Sequence, residues 1–419
     1  MQELKRENNW DFKNAQTNLF THSLHAYPAR MVPGIAGELI KQYSNEGDLI
    51  VDPFCGSGTT LVEGTLVNRK MIGVDLNPFA VFMSKVKTTP IRPELLEKES
   101  NLLISDLQSS RARTRELETY PESSHIINLD FWYKKYVIRD LNYIRTRIDD
   151  FFGKESAPIK DFLGLMLAKT AREVSNQRLR EFKRWRMPQT ELSVFRPKPI
   201  KKFKENIEKA LPSMKHYYLE TSGNVHRKVV LGDARTFKTS RKASLILTSP
   251  PYGDSGTTVA YGQYSSFALE WLRLTNKSDR RIDSLPLADS AEPYQCLEDS
   301  PLLKKVYVDI QDKDQRRADT VLMFFGGLNE VFSNFAKVLL PGGKCCVVVG
   351  NRRVRGLEVP TDRIITELVT KVGYDLKEQH SRAVLHKIIP FATKPWNSQG
   401  NGILQKTINT ESILVFERV

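Results

Sequence analysis

One short segment near the amino terminus restricts the possible folds of this 419-residue chain more than any other feature. Residues 49–64 read LIVDPFCGSGTTLVEG, an apolar run that enters a turn with two glycines and continues into a helical pattern over 59–68. A second apolar run over 71–74 follows and ends in Asp75. This alternation predicts strand, turn, helix and strand, as in an α/β sheet that binds a ligand at the carboxyl ends of its strands.

The turn and the acid have the chemistry of an adenosine-binding site. Gly56 and Gly58 allow the backbone to approach a ligand closely, and the helix that follows offers unpaired N–H groups. Asp75 ends the second strand, where a carboxylate can accept hydrogen bonds from ribose hydroxyls. Leu61 stands where the dinucleotide fingerprint has its third glycine, which disfavours NAD relative to other adenosine cofactors.

Further apolar, β-branched runs predict more strands of the same sheet. They lie at 229–231, 245–247 and 345–349, with weaker candidates at 412–416 and in part of 384–389. An amphipathic pattern over 321–340 predicts a long helix that ends at a Pro-Gly-Gly sequence. The fold class expected is therefore α/β, with a Rossmann-like, doubly wound mixed sheet.

Two segments interrupt the alternation and suggest how the chain is organised. Residues 91–225 are helical in pattern and basic towards their end, and we interpret them as an inserted helical subdomain. Residues 253–320 are polar and irregular in their second half, which predicts a long loop excursion near the cleft. The catalytic domain is then expected to comprise residues 20–90 and 226–419.

The glycine turn resembles the DPF-x-G-x-G-T loop of the amino-methyltransferases, enzymes that use S-adenosylmethionine. The segment around His25 resembles the one that closes the cofactor pocket in these enzymes, although a packing histidine is the more common role for such a residue. An acid at the position of Asp233 often binds the adenine amino group in this family, the alternative being a turn aspartate. The resemblance implies these cofactor contacts: His25, Asp52, Pro53, Phe54, Gly56, Ser57, Gly58, Thr59, Thr60, Asp75, Asn77 and Asp233.

A second motif ends the run at 245–247 with Ser249, Pro250, Pro251 and Tyr252. The two prolines remove backbone donors and stiffen the turn, so acceptor groups remain. The exocyclic amine of a base is a weak nucleophile, and acceptors at Ser249 Oγ and the Pro250 carbonyl would bind its two hydrogens. The target base must leave the duplex, and Tyr252 can stack on its face. These four residues are the predicted catalytic set.

The [DNS]-PP-[YF] form of this motif is typical of DNA amino-methyltransferases, and serine in the first position is typical of the N4-cytosine enzymes. The resemblance thus implies transfer to N4 of cytosine, with an N6-adenine enzyme of the same architecture as the alternative. An RNA guanosine-N2 methyltransferase is less favoured, because such enzymes usually carry aspartate before the prolines. A catalytically dead DNA-binding subunit is disfavoured, because the residues of both motifs are retained.

The charge of the chain favours a polyanionic partner. Lys and Arg number 63 against 49 Asp and Glu, a net charge of +14, and basic residues are densest in RLREFKRWRMP at 178–188. A charge run is usually a solvated face, but beside a base-flipping cleft we expect contacts to DNA phosphates. The predicted DNA-binding residues are Arg178, Arg180, Lys183, Arg184 and Arg186.

Composition excludes several other classes of protein. The sequence has no apolar run of bilayer length and no signal-peptide core, so a cytoplasmic location is expected. The four cysteines lack the spacing of a zinc site or a disulfide framework, so no metal is expected. The expected partners are double-stranded DNA and a cognate restriction endonuclease that recognises the same target sequence.

Overall fold

The structure is a computed structural model that describes residues 10–13, 15–109, 128–152, 156–179, 183–221, 225–253, 259–275, 287, 290–384, 392–393, 405–406 and 409–419. Two sequence predictions lie outside these ranges. They are the DNA contact of Arg180 and the strand expected over 385–389.

Of the strands in the described part of the chain, six contain apolar runs that the sequence predicted and five were not predicted. All these strands are β1 (Leu49–Asp52), β2 (Lys70–Asp75), β3 (Arg227–Leu231), β4 (Ala243–Thr248), β5 (Leu339–Gly350), β6 (Arg352–Val354), β7 (Leu357–Val359), β8 (Tyr374–Ala383), β9 (Ala392–Thr393), β10 (Gln405–Lys406) and β11 (Thr410–Arg418). Seven of them form one sheet in the order β3-β2-β1-β4-β5-β11-β8, and the others form two small two-stranded sheets.

Five neighbouring strands of the large sheet, β3, β2, β1, β4 and β5, run parallel. Strand β11 is inserted antiparallel between β5 and β8. The predicted doubly wound mixed sheet is therefore confirmed. Because β11 runs the opposite way, its first residues lie at the edge where the parallel strands end, and that edge carries the candidate site.

The helices occupy both faces of the sheet. They are α1 (Pro33–Tyr43), α2 (Thr59–Leu66), α3 (Pro78–Thr88), α4 (Pro93–Gln108), α5 (Leu129–Trp132), α6 (Lys135–Phe151), α7 (Ala157–Glu173), α8 (Gln189–Val194), α9 (Pro199–Glu220), α10 (Tyr261–Trp271), α11 (Gln295–Asp299), α12 (Pro301–Gln311), α13 (Gln315–Val338) and α14 (Thr361–Lys371), with a 3₁₀ helix at Phe20–Ser23.

Side chains along the central strands point alternately to the two faces of the sheet, and both faces are covered, which explains why these strands are largely apolar. Ile50 and Leu245 face one side of the sheet and pack in a cluster with α1. Val51 and Ile246 face the other side and pack in a cluster with α13 and α14. Successive side chains of a strand point to opposite faces, so a sheet covered on both sides needs apolar residues at every position.

The described residues of the predicted insertion over 91–225 fold mainly into helices. Its helices share one hydrophobic cluster with α3 and α10, represented by Phe79, Phe162, Phe203 and Phe267. All four of these side chains are buried. The described helices of 91–225 therefore pack against helices of the predicted catalytic domain.

The long loop expected over 253–320 is interrupted by α10, α11 and α12, and α13 begins at Gln315. In α12 the buried side chains are Leu303, Val306, Tyr307 and Ile310, which is the spacing of one helical face. The polar residues between them and before them obscured this period in the sequence. The helix predicted over 321–340 ends at Val338, because Leu339 is extended and pairs with Ala243.

Candidate active site

A cleft lies at the carboxyl ends of β1, β2 and β4, and residues of both sequence motifs line it. Its space is about 1050 Å³, part of it open to solvent. The predicted residues in its lining are Asp52, Pro53, Phe54, Gly56, Ser57, Thr59, Thr60, Asp75, Asn77, Ser249 and Pro251. Five other predicted residues are not among the described residues that line it: His25, Gly58, Asp233, Pro250 and Tyr252.

The glycine turn needs its glycines for a backbone reason. Gly56 and Gly58 have φ angles of +48° and +80°, in the left-handed region that other residues rarely adopt. A Cβ on Gly58 would lie 2.9 Å from Ser84 Oγ, so the turn also packs tightly against α3. Ser84 Oγ donates to the Gly56 carbonyl at 2.8 Å, which holds the turn against that helix.

The carboxylate of Asp75 is oriented by backbone donors. Its two oxygens accept hydrogen bonds from the N–H groups of Gly56 and Asn77, each at 2.8 Å. Burial raises the pKa of Asp75 to about 6, although these backbone hydrogen bonds oppose the change. The group is ionised at neutral pH and remains an acceptor in the wall of the cleft.

Asp52 connects the two motifs. It is buried at the end of β1, and its Oδ1 accepts a hydrogen bond of 2.7 Å from Thr248 Oγ1 at the end of β4. The same oxygen accepts from the N–H of Phe54 at 3.2 Å. Burial raises the pKa of Asp52 to about 6, against the effect of hydrogen bonds from Thr60 and Thr248.

Two tyrosines that the prediction did not include form an aromatic wall of the cleft. The rings of Tyr27 and Tyr261 stack with centroids 5.6 Å apart and an interplanar angle of 27°. Asn77 Nδ2 donates to the Tyr27 hydroxyl at 3.2 Å and to Ser265 Oγ at 2.7 Å. Tyr27 lies two residues after His25, in the segment that resembles the one closing the cofactor pocket, whereas no local signal marks Tyr261.

The structure places His25 in the interior rather than in the cleft wall. Its Nδ1 is 2.6 Å from the carbonyl oxygen of Ala26, and its ring packs edge-to-face on Phe79 with centroids 5.0 Å apart. The carbonyl of His25 accepts a hydrogen bond of 2.9 Å from the buried Lys87. These contacts match the packing role that was the alternative for this residue.

Asp233 is not among the described residues that line the cleft, and its carboxylate has a partner of its own. Its neighbours Gly232 and Ala234 line the cleft, but its carboxylate binds the guanidinium of Arg235, with the closest contact at 2.6 Å. Burial alone would raise the pKa of Asp233, and the hydrogen bonds from Arg235 lower it below its ordinary value.

The Ser-Pro-Pro-Tyr turn is held by hydrogen bonds to two other strands. Ser249 Oγ donates to the carbonyl of Val348 on β5 at 3.0 Å. The hydroxyl of Tyr252 donates to Glu411 Oε1 on β11 at 2.9 Å and lies 3.2 Å from Ser249 Oγ. Burial and the Glu411 charge raise the pKa of Tyr252, so its hydroxyl stays protonated.

The described part of the basic segment divides into stacked and exposed residues. Arg184 lies over the rings of Trp132 and Phe267, at 5.4 and 5.8 Å from their centroids. Arg186 lies 4.4 Å over the ring of Phe131. Arg178 and Lys183 are exposed. Stacking on an aromatic ring limits the motion of an arginine side chain.

The described residues contain no cluster of His, Cys, Asp and Glu that could hold a metal. All four cysteines are buried and free, and burial raises the pKa of the Cys55 thiol, which keeps it protonated and unreactive. None of the described helices is long and apolar enough to cross a bilayer.

Comparison with known proteins finds a matching family and a relative that aligns with nearly the whole chain. Residues 1–85 match the N6_N4_Mtase family, described as DNA methylase. The chain is 34% identical over 433 aligned positions to the Type II methyltransferase M.MvaI of Kocuria varians, which covers 97% of this chain and 93% of that protein.

Two further matches are more limited. The Type II methyltransferase M.MjaII of Methanocaldococcus jannaschii is 31% identical over 96 residues, which is 23% of this chain and 18% of that protein. Among solved structures, the rRNA methyltransferase aviRa of Streptomyces viridochromogenes matches 94% of this chain and 88% of its own, with 10% identity and a TM-score of 0.32.

The interior position of His25 predicts a pH dependence of stability. Burial lowers the pKa of His25 to about 3 from an ordinary value near 6.5. Between these values the unfolded chain binds a proton that the folded chain does not, so stability falls as the pH falls below 6.5. In urea unfolding, each unit by which the pH falls below 6.5 should lower the free energy of unfolding of the wild type by about 1 kcal/mol more than that of His25→Phe. Equal losses in both proteins would contradict the assignment.

Proposed function

This chain belongs to the family of DNA amino-methyltransferases, and from that premise we propose that it methylates N4 of a cytosine flipped out of duplex DNA. It is a site-specific Type II DNA methyltransferase of the restriction–modification kind, and its methyl donor is S-adenosylmethionine. The observation that carries the N4 proposal is Ser249, which stands first in the Ser-Pro-Pro-Tyr turn and faces the same cleft as the glycine turn.

The cleft has the features that the donor requires. Gly56 brings backbone to its surface, and Asp75 presents a carboxylate whose orientation is set by two backbone N–H groups. Asp75 would accept hydrogen bonds from the ribose hydroxyls, and Gly56 and Ser57 would contact the methionine part, next to the ring of Tyr27. When bound, S-adenosylmethionine supplies an electrophilic methyl group. His25 and Asp233 stay outside this set, because their side chains are engaged with other residues.

Ser249 has the hydrogen-bonding state that an acceptor for the amine needs. Its own hydroxyl hydrogen is donated to the Val348 carbonyl, which leaves oxygen lone pairs for an incoming N–H. The Pro250 carbonyl would accept the second amine hydrogen. Two acceptors at the same nitrogen favour a more tetrahedral geometry and direct its lone pair towards the methyl group, while proximity supplies much of the remaining rate.

The basic segment would hold the duplex beside this cleft. Arg184 packs on Phe267, and Phe267 and the cleft residue Tyr261 belong to the same helix, α10. Six residues of helix span about 9 Å, so the segment lies close to the opening. We assign phosphate contact to Arg178, Lys183, Arg184 and Arg186. These residues belong to the segment over 91–225, which we propose grips DNA, and residues 20–90 and 226–419 would form the catalytic domain. We also propose a cognate endonuclease that shares the target sequence.

The modified base tests the proposal directly. Unmethylated duplex DNA is incubated with the purified protein and S-adenosylmethionine, digested to nucleosides and analysed by mass spectrometry. N4-methylcytosine is the expected product, and N6-methyladenine without N4-methylcytosine would instead assign the chain to the adenine enzymes. Methylation of tRNA but not of duplex DNA would contradict both assignments.

The role of Ser249 is tested by Ser249→Ala under single-turnover conditions. Removing one acceptor of the reacting amine should lower the methylation rate about 100-fold, because a preorganised hydrogen bond at the reacting centre is lost. The dissociation constant of S-adenosylmethionine should stay within about twofold of wild type. The matched control is Ser333→Ala, which removes a serine hydroxyl bound to a helix carbonyl of α13. An undiminished rate in Ser249→Ala would refute the assignment.

The salt dependence of DNA binding tests the basic segment. Each phosphate contact that is lost should reduce the slope of log affinity against log salt by about 1. The double variant Arg178→Ala/Lys183→Ala should therefore have a slope about 2 units shallower than wild type, because both residues are exposed cations. The control is Lys371→Ala on α14, also exposed, whose slope should match wild type. A slope that is unchanged in the double variant would remove these residues from the DNA contact.

The titration of Asp75 predicts a pH dependence of donor binding. Because the pKa of Asp75 is raised to about 6, the carboxylate that accepts ribose hydrogen bonds becomes protonated as the pH falls below 6. The dissociation constant of S-adenosylmethionine should then rise by up to tenfold per pH unit for this group, as measured by calorimetry. Asp75→Asn should bind weakly at pH 7.5 and show a shallower dependence. Equal affinities of the wild type at pH 7.5 and 5 would contradict the prediction.

A further inference from the structure

We propose that Glu411 and Arg382 are positioning residues for Ser249. Glu411, bound by Arg382, accepts the hydroxyl hydrogen of Tyr252, so Tyr252 does not donate it to Ser249 and the Ser249 oxygen can accept from the substrate amine. The inference rests on the proposed role of Ser249 as an acceptor for the amine. Neither residue belongs to the sequence motifs, and both lie on strands near the carboxyl terminus.

The topology of the sheet explains how so distant a residue reaches the turn. Glu411 is the second residue of β11, and it pairs with Gly350 at the end of β5 and with Arg382 near the end of β8. Since β11 is antiparallel to both neighbours, its beginning lies where they end. Glu411 therefore meets Tyr252, 159 positions away in sequence, at the edge that carries the cleft.

The hydrogen bonds form a continuous chain with a defined direction. Tyr252 donates to Glu411 Oε1 at 2.9 Å, and Glu411 Oε2 is bound by Arg382 Nη1. Arg382 Nε donates in turn to the carbonyl of Trp10 at 3.2 Å. The side chains of Arg382 and Glu411 are 7% and 15% exposed, so water competes little for either. Each carboxylate oxygen thus has its own partner.

The direction of these bonds determines what Ser249 can do. The hydroxyl oxygens of Ser249 and Tyr252 are 3.2 Å apart, close enough for one to donate to the other. The charged acceptor Glu411 forms the stronger bond and takes the tyrosine hydrogen. If Glu411 lost this capacity, Tyr252 would donate to Ser249 and occupy a lone pair needed by the substrate amine.

The conservative variant Glu411→Gln separates this role from simple packing, because it preserves the shape of the side chain. An amide has one oxygen, and the cation of Arg382 should take it, which turns the NH₂ group towards the Tyr252 hydroxyl. Tyr252 then donates to Ser249. The single-turnover rate of Glu411→Gln should fall about tenfold or more, with S-adenosylmethionine affinity within about twofold of wild type.

Removing the tyrosine hydroxyl should reverse the defect. Tyr252→Phe keeps the ring but has no hydroxyl hydrogen to donate, so its own single-turnover rate is the reference for this background. In the Tyr252→Phe background, Glu411→Gln should cost less than about twofold, because no hydroxyl remains to compete for Ser249. A defect of the same size in both backgrounds, or a wild-type rate in Glu411→Gln alone, would overturn the inference.

The chain contains a matched control for this double-mutant cycle. Tyr43 donates to Glu378 Oε1 at 2.7 Å, which is another tyrosine–glutamate hydrogen bond to a residue of β8. Neither residue lines the cleft in the described part of the chain. Glu378→Gln should leave the methylation rate within about twofold of wild type, and thermal unfolding of both variants measures any general loss of stability.

The outcome for Ser249→Ala distinguishes failure of this inference from failure of the proposed function. If Ser249→Ala retains the wild-type rate, the acceptor role itself is wrong, whatever Glu411 does. If Ser249→Ala is impaired and Glu411→Gln is not, the acceptor role stands and the positioning role of Glu411 is wrong.

Discussion

The buried hydrogen bond from Thr248 to Asp52 joins the two strand ends on which the site is built. Strands β1 and β4 are adjacent and parallel, so the glycine turn and the Ser-Pro-Pro-Tyr turn leave the sheet side by side. A carboxylate removed from water requires hydrogen-bond partners, and the ends of these two strands provide them. Because β1 and β4 are paired, the glycine turn and the Ser-Pro-Pro-Tyr turn lie in one cleft.

Carboxylates recur around the cleft, and each is oriented by different partners. Asp52 accepts from the end of β4, Asp75 accepts from backbone N–H groups, and Glu411 is bound by Arg382 and Tyr252. Burial raises the pKa values of Asp52 and Asp75 to about 6, so both remain ionised near neutral pH. Fixed acceptors of this kind orient hydroxyl and amine hydrogens without reorganisation when the substrate binds.

Sequence patterns predicted the features that depend on neighbouring residues. The strands β1 and β2, the glycine turn and Asp75 follow from apolar runs and from turn chemistry, and the structure has them at the expected positions. The helix α12 was missed because charged residues surround its apolar face. His25 shows the limit for side chains, because its burial against Phe79 depends on a helix that lies far away in sequence.

By itself, the sequence determined the fold class, the adenosine-type turn and the Ser-Pro-Pro-Tyr motif, since each is a short segment whose backbone requirements appear in its own residues. The strand order decided which distant residues join that motif. Only the antiparallel insertion of β11 brings Glu411 to Tyr252, and only the packing of α10 brings Tyr261 against Tyr27. Such contacts depend on register and strand direction, which are properties of the whole sheet rather than of any local pattern.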